Sequence, residues 1–367
     1  MTQKRKEVIS GIELWAAMFI YISADAMTAP IGAPAGNQSW ISIAIAICFS
    51  LCLMSICTHL SDSNSGKSFI DIGTDLMGKW GGKAIGLLYA WYSFEICSYN
   101  LKNNWQMTST VALPNTPILV TVTVAVIFVI WIAYGGIETI SRLSIIFVPV
   151  LVFFLVLGFL LLSKDFNFRN FLPITEIKWR KVLYSSLQVS SFPLTLTVLF
   201  VMVFPNLKKK GQAKIPALCA IAMAGFLVLL SDIMYLLVLG SLVPNLTYPG
   251  YTTFSYIEVA DFLDRAEILF YTIFIAINVI EISISLYVTA ICLAKTFRIN
   301  NYRILLVPLG FLVIEQSTFI VRNHPEHISI GIYAWPWYSL IFQLVIPLFL
   351  LIFSSIKKKT KPSESTA

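Results

Sequence analysis

Carboxylates set inside apolar sequence are the residues whose chemistry most needs explaining. Tyr92, Glu95, Tyr99, Lys102 and Gln106 recur at steps of three or four, which puts them on one helical face. Asn278, Glu281 and Ser285 repeat the pattern at i, i+3 and i+7. Asp25, Asp232 and Glu315 also fall within apolar runs. Glu13 lies one turn into the first run and can snorkel to the interface, so it is discounted. A charge at the centre of a bilayer costs about 2.5–3.5 kcal/mol on insertion scales and therefore faces a cavity or a partner. Two chemistries fit. One is a polar cavity that holds a small zwitterion or passes water and ions. The other is structural, with carboxylates hydrogen-bonded between helices.

Catalytic patterns are absent. There is no HExxH, GxSxG, P-loop or Gly-rich dinucleotide motif. Gly135 and Gly136 read as a tight turn, with Glu138 and Arg142 four apart in the order that favours an ion pair. Cys48, Cys52, Cys57, Cys97, Cys219 and Cys292 all lie in apolar runs with no CxxC pair, so neither a disulfide framework nor a zinc site is expected. His59, His324 and His327 have no metal-ligand spacing, and loop solvation is the expected role of the last two. No metal, cofactor or enzymatic activity is expected.

The elements that position these side chains follow from composition. Of 367 residues, 57% are hydrophobic and 12% charged, against roughly 25% charged in a soluble domain. At about 20 residues per span, the apolar content suffices for about ten spans. This excludes a cytosolic enzyme, a nucleic-acid-binding module and a disordered chain. The apolar runs predict an all-α integral membrane protein with spans near 9–31, 40–60, 84–110, 117–134, 143–162, 182–205, 215–243, 267–294, 304–321 and 335–356. Residues 1–8 are expected to be a cytoplasmic N-terminus, 9–356 a single transmembrane domain, and 357–367 a basic, disordered cytoplasmic tail. The first run is read as a span that stays rather than a cleaved signal. With both termini inside, 18 of the 26 Lys and Arg fall on the cytoplasmic side, which fits the positive-inside rule. The 163–181 loop, with five basic residues outside, runs against it. Ser68 to Trp80 reads as an amphipathic surface helix with Phe69, Ile72, Leu76 and Trp80 on its apolar face.

Two spans carry breaks. The first holds Ser23, Ala24, Asp25 and Ala26, then Pro30, Gly32, Pro34 and Gly36; the sixth holds Ser190, Ser191, Phe192 and Pro193 near its middle. Spans one and six are equivalent in a five-plus-five inverted repeat. Interrupted helices at corresponding places point to a binding site at the membrane midplane. The plainer alternative is a proline kink in span six and a simple end to span one.

Several strings in order carry a family resemblance. They are AP...GNQSWIS from Ala29 to Ser42, LPNTP from Leu113 to Pro117, YGGIETISR from Tyr134 to Arg142, FLPI from Phe171 to Ile174, and FPNLK from Phe204 to Lys208. Together, over about residues 9–356, the chain resembles the endospore germinant-receptor B-subunit family, relatives of permeases of the amino acid–polyamine–organocation superfamily. The resemblance implies a ten-helix, inverted-repeat, permease-like fold with interrupted helices 1 and 6. It also implies a multi-pass place in the inner membrane of a spore-forming bacterium, an A subunit and a lipoprotein C subunit as partners, and a nutrient such as an amino acid as ligand. The implied ligand residues are Ala24, Asp25, Ala26, Met27, Glu95, Tyr99, Ser190, Ser191, Phe192, Asn278 and Glu281. A proton-coupled amino-acid permease is the alternative function. Two departures stand out. Permease-like relatives usually carry Gly at the span-one break, where this chain has Ser23 to Ala26. A basic or neutral residue is common near the position of Glu281.

Overall fold

A computed structural model describes residues 7–26, 32–172, 177–257, 265–320 and 324–360. The side chains of Asp25, Ala26, Ala33, His324, Pro325, Ile328 and residues 358–360 lie outside that description. The helices, in chain order, are α1 (Gly11–Ala26), α2 (Ser39–Asp62), α3 (Phe69–Met107), α4 (Ile118–Tyr134), α5 (Gly136–Leu161), α6 (Trp179–Ser191), α7 (Lys214–Leu239), α8 (Pro249–Phe254), α9 (Ala266–Phe297), α10 (Arg303–Phe319), α11 (His324–Ser329), α12 (Trp335–Leu340) and α13 (Ile346–Thr360). Each of the ten apolar runs holds helix among the described residues, and no strand is found there. Stretches 34–62, 136–165, 179–202, 214–245, 266–297 and 330–357 are long and apolar enough to cross a membrane; α1 and α4 are shorter apolar helices. The single apolar core runs through the middle of the bundle. In it α3 lies along α9, α1 packs on α7, α5 and α9, and α2 packs on α7 and α6.

The surface helix expected over 68–80 is the first part of α3. Ser68 caps it: its hydroxyl accepts from Asp71 N, and Asp71 Oδ2 accepts from Ser68 N at 3.3 Å. This reciprocal cap satisfies two otherwise orphaned donors. Phe69 and Ile72 are buried as expected, but Trp80 is 81% exposed. The reason is Gly78, whose φ of 74° breaks the helical phase before Trp80. Burial alone would raise the Asp71 carboxyl. The Lys295 ammonium 2.8 Å away and the donors from Lys295 and Ser68 outweigh it and hold the group below its ordinary value.

Three further expectations are corrected. Glu138 and Arg142 do not pair: Glu138 Oε1 accepts Val8 N at 2.7 Å, and Arg142 lies 3.9 Å from Glu13. A left-handed Gly136, φ 78°, turns the chain there, leaving Glu138 facing the incoming N-terminal segment. His327 is not a solvated loop residue. It sits on α11, where its Nδ1 is 2.9 Å from Gln106 Oε1. The basic tail begins as helix, since α13 continues through Thr360; lysines at a helix C-terminus complement its dipole.

The two ends of the bundle are chemically distinct. At the end near the chain termini, Ile9 N donates to Asn206 O and Lys208 N donates to Ile9 O. Glu7 is the hub there, accepting from Tyr302 (2.7 Å), Tyr287 (2.9 Å) and Ile137 N (3.2 Å), with Arg303 3.5 Å away.

Candidate functional site at the break in the sixth span

The sixth span is broken where the sequence places Ser190, Ser191, Phe192 and Pro193. α6 ends at Ser191, Phe192 is extended, Phe192–Pro193 is a cis peptide, and the chain continues as 3-10 helix over Leu194–Met202. A Pro cannot donate, and a helix end within a bilayer needs partners for its backbone groups. Some come locally. Phe192 N and the Ser191 hydroxyl both donate to Gln188 O, at 2.9 Å each. The rest come from a residue that no sequence pattern singles out. Gln343 Nε2 donates to Ser191 O at 2.9 Å and to Tyr92 OH at 2.8 Å, and its Oε1 lies 2.6 Å from the Thr195 hydroxyl. The same hydroxyl is 2.7 Å from Ser190 O. One carboxamide thus bridges both sides of the break and ties them to α3.

Gln343 reaches that place from a π-helical turn over Ile341–Val345, between α12 and α13. Such turns shift side chains out of α-helical register and recur at functional sites. An aromatic wall adjoins it. Tyr92 stacks on Phe342 (centroids 4.4 Å apart), Tyr99 meets Trp335 edge-on at 5.4 Å, and Tyr338 meets Phe342 at 5.2 Å. Trp335 Nε1 is buried and finds no acceptor among the described residues. A buried indole N–H ordinarily has a partner.

The sequence-predicted residues fall on two sides of α3. On one side, Glu95 is half-buried with Gln316 Nε2 3.4 Å away, and Tyr99 lies against His327 and Trp335. With Tyr92 this face looks toward α10, α12 and the α6 break. On the other side, Asn278 and Glu281 are sealed between α9 and α3. Asn100 Nδ2 donates to Glu281 Oε1, Asn104 Nδ2 donates to Asn278 Oδ1 at 2.9 Å, and Asn278 Nδ2 donates to Glu281 Oε2 at 3.3 Å. Ser93 and Cys97 continue that face onto the Ser285 and Ile282 carbonyls. The two acidic stripes therefore do not line one common hollow. Ala24 is buried near the end of α1; Asp25 and Ala26 complete that helix, and Met27 lies outside the described residues. The next helical segment among the described residues is 3-10 helix, Ala33–Gln38. Among the described residues no group of three or more His, Cys, Asp or Glu is arranged to hold a metal.

The comparisons with known proteins agree with this architecture. The chain is 28% identical to spore germination protein KB of Bacillus subtilis (strain 168), over 97% of each chain. It is 23% identical to spore germination protein A2 of the same organism, over 91% of this chain and 90% of that one. Among solved structures it resembles MhsT in complex with L-phenylalanine (TM-score 0.67, 14% identity, 96% of this chain and 99% of that one). It also resembles Mhp1, a nucleobase-cation-symport-1 family transporter with bromovinylhydantoin bound (TM-score 0.65, 12% identity, 98% and 95%). These likenesses fix the fold as the ten-helix, inverted-repeat transporter type with interrupted helices 1 and 6. A family model described as spore germination protein matches residues 10–325, and the chain belongs to that family.

Proposed function

We propose that the chain is the nutrient-sensing B subunit of a spore germinant receptor, binding a free amino acid at the α6 break and signalling to an A subunit and a lipoprotein C subunit. Both termini lie in the cytoplasm in this reading. The observation that carries it is the Gln343 carboxamide spanning Ser191 O, Thr195 and Tyr92 OH. Its amide satisfies groups at the break that a bound polar ligand can satisfy in its place. Trp335 Nε1 and the start of the 194–202 helix supply donors for a carboxylate, and Glu95 supplies an acceptor for an ammonium. Asn278 and Glu281 act from behind, holding α3 against α9. A ligand shifts the bundle between two arrangements only as far as its affinities for them differ.

The test uses purified protein and a panel of free amino acids. An amino acid that binds the folded state raises the unfolding temperature by mass action. Thr195→Val and Tyr92→Phe are expected to lower that shift, and spores carrying them to need more nutrient at normal protein abundance. Wild-type responses in both variants would sink the pocket assignment. The transporter fold, with half-buried Glu95 facing Gln316, favours one second reading, a proton-coupled permease. Accumulation of the amino acid in vesicles, driven by a pH gradient, would select it.

A further inference from the structure

A polar hollow lies at the end of the bundle remote from Glu7, and the α6 site makes no use of it. The start of α2, the end of α7 and the loop after α5 enclose a cavity of about 420 Å³. That volume is within the range of small-molecule sites, roughly 300–1,000 Å³. Asp232 lines it and is only 6% exposed. Its Oδ2 accepts from Ser39 Oγ at 2.6 Å. Among the described residues it accepts no other hydrogen bond and pairs with no cation. A buried carboxylate without a positive partner is costly, and a cation entering the cavity would meet it.

The rim carries the opposite charge. Arg169, exposed and in no ion pair among the described residues, lines the same cavity. Its loop is held in place rather than loose. Asn170 Nδ2 donates to Leu236 O and Leu237 O, each at 3.1 Å, and Asn167 N donates to Leu237 O at 3.0 Å. Close approach is built in at Gly240: a Cβ there would lie 2.8 Å from the Asn170 side chain. Gly36, at φ 59°, adds no side chain to the facing wall, and apart from its chain neighbours nothing lies within 4 Å of where its Cβ would be.

We propose that this cavity is a second binding site, distinct from the α6 break, for a free amino acid. Asp232 and the Ser39 hydroxyl take the ammonium, and Arg169 takes the carboxylate. The deep acid and the basic rim match the two ends of a zwitterion, whereas a simple amine or a simple carboxylate satisfies one end only.

The experiment is equilibrium binding to the full-length protein in lipid nanodiscs, using each of the twenty free amino acids, with methylamine and acetate as half-ligands. The expected result is an amino acid whose binding weakens about tenfold or more in both Asp232→Asn and Arg169→Gln, as loss of a charged hydrogen bond implies, and which neither half-ligand matches. Asp232→Asn keeps an acceptor for Ser39, and Arg169→Gln changes an exposed side chain, so both variants should unfold at near wild-type temperatures. Binding of no amino acid to the wild type would overturn the proposal. So would affinities unchanged in both variants, or equal binding of methylamine. Thr195→Val separates this site from the α6 reading. Binding lost there and kept in Asp232→Asn leaves only the α6 site, and the converse leaves only this one.

Discussion

Gln343 and Glu281 show how alike two buried polar residues look in a sequence and how differently they serve. Gln343 uses both amide protons and its oxygen to close the gap in α6. Gln343→Ala leaves Ser191 O and Tyr92 OH buried without that partner, at about 1–3 kcal/mol for each orphaned group. The expected outcome is a clear fall in unfolding temperature that a polar ligand at the break partly restores. Ligand-independent destabilisation would make Gln343 purely structural. Glu281 instead receives two asparagine amides within the α3–α9 contact. Glu281→Ala should cost at least as much stability yet leave amino-acid affinity within about twofold, since no ligand group is lost. A large affinity change with intact stability would put Glu281 in the pocket. The carboxylates were legible in sequence because charge inside an apolar run is conspicuous. Gln343 was not, because one amide in an apolar run has no periodic companion, and a π-helical turn decides where it points.

At the scale of elements, hydropathy located ten runs but could not say which face of α3 meets which neighbour. Both faces are polar. Tyr92, Glu95 and Tyr99 mark one, and Ser93, Cys97, Asn100 and Asn104 mark the other. Only packing shows that α9 takes the second. The Ser190–Pro193 break was legible, because proline beside small polar residues has few uses inside a span. The surface helix opening α3 makes a pH prediction. Asp71 is held below its ordinary value in the folded chain. Its contribution is therefore fully present above the unfolded pKa, about 3.9, and is lost as pH falls through the lower folded pKa. Thermal unfolding from neutral pH down to about pH 3 should show wild type losing stability below pH 4. Asp71→Asn should be less stable at neutral pH and flatter in the acid range. Parallel curves for the two proteins would mean that the Lys295 pairing contributes nothing measurable.

Across the whole molecule, a sealed end and a hollow end face opposite ways. Glu7 draws together the N-terminal segment, the α4–α5 turn, α9 and the start of α10 through Ile137 N, Tyr287, Tyr302 and Arg303. Beside it, Ile9 exchanges backbone hydrogen bonds with Asn206 and Lys208, just past the sixth span. The first and sixth spans, the two that carry breaks, are therefore fastened to each other and to the rest of the bundle at this end. Interfaces of this kind switch between discrete packings rather than deform continuously. Releasing the fastening should favour the arrangement in which this end opens. Glu7→Ala removes the acceptor shared by two tyrosine hydroxyls and a backbone amide. Hydrogen–deuterium exchange should then rise in residues 9–14 and 204–208, while the α2–α7 contact keeps its protection. Exchange that is unchanged in both segments would show that apolar packing alone closes this end. A uniform rise across the bundle would mean general destabilisation instead. A selective rise would identify Glu7 as the latch that keeps this end of the bundle closed.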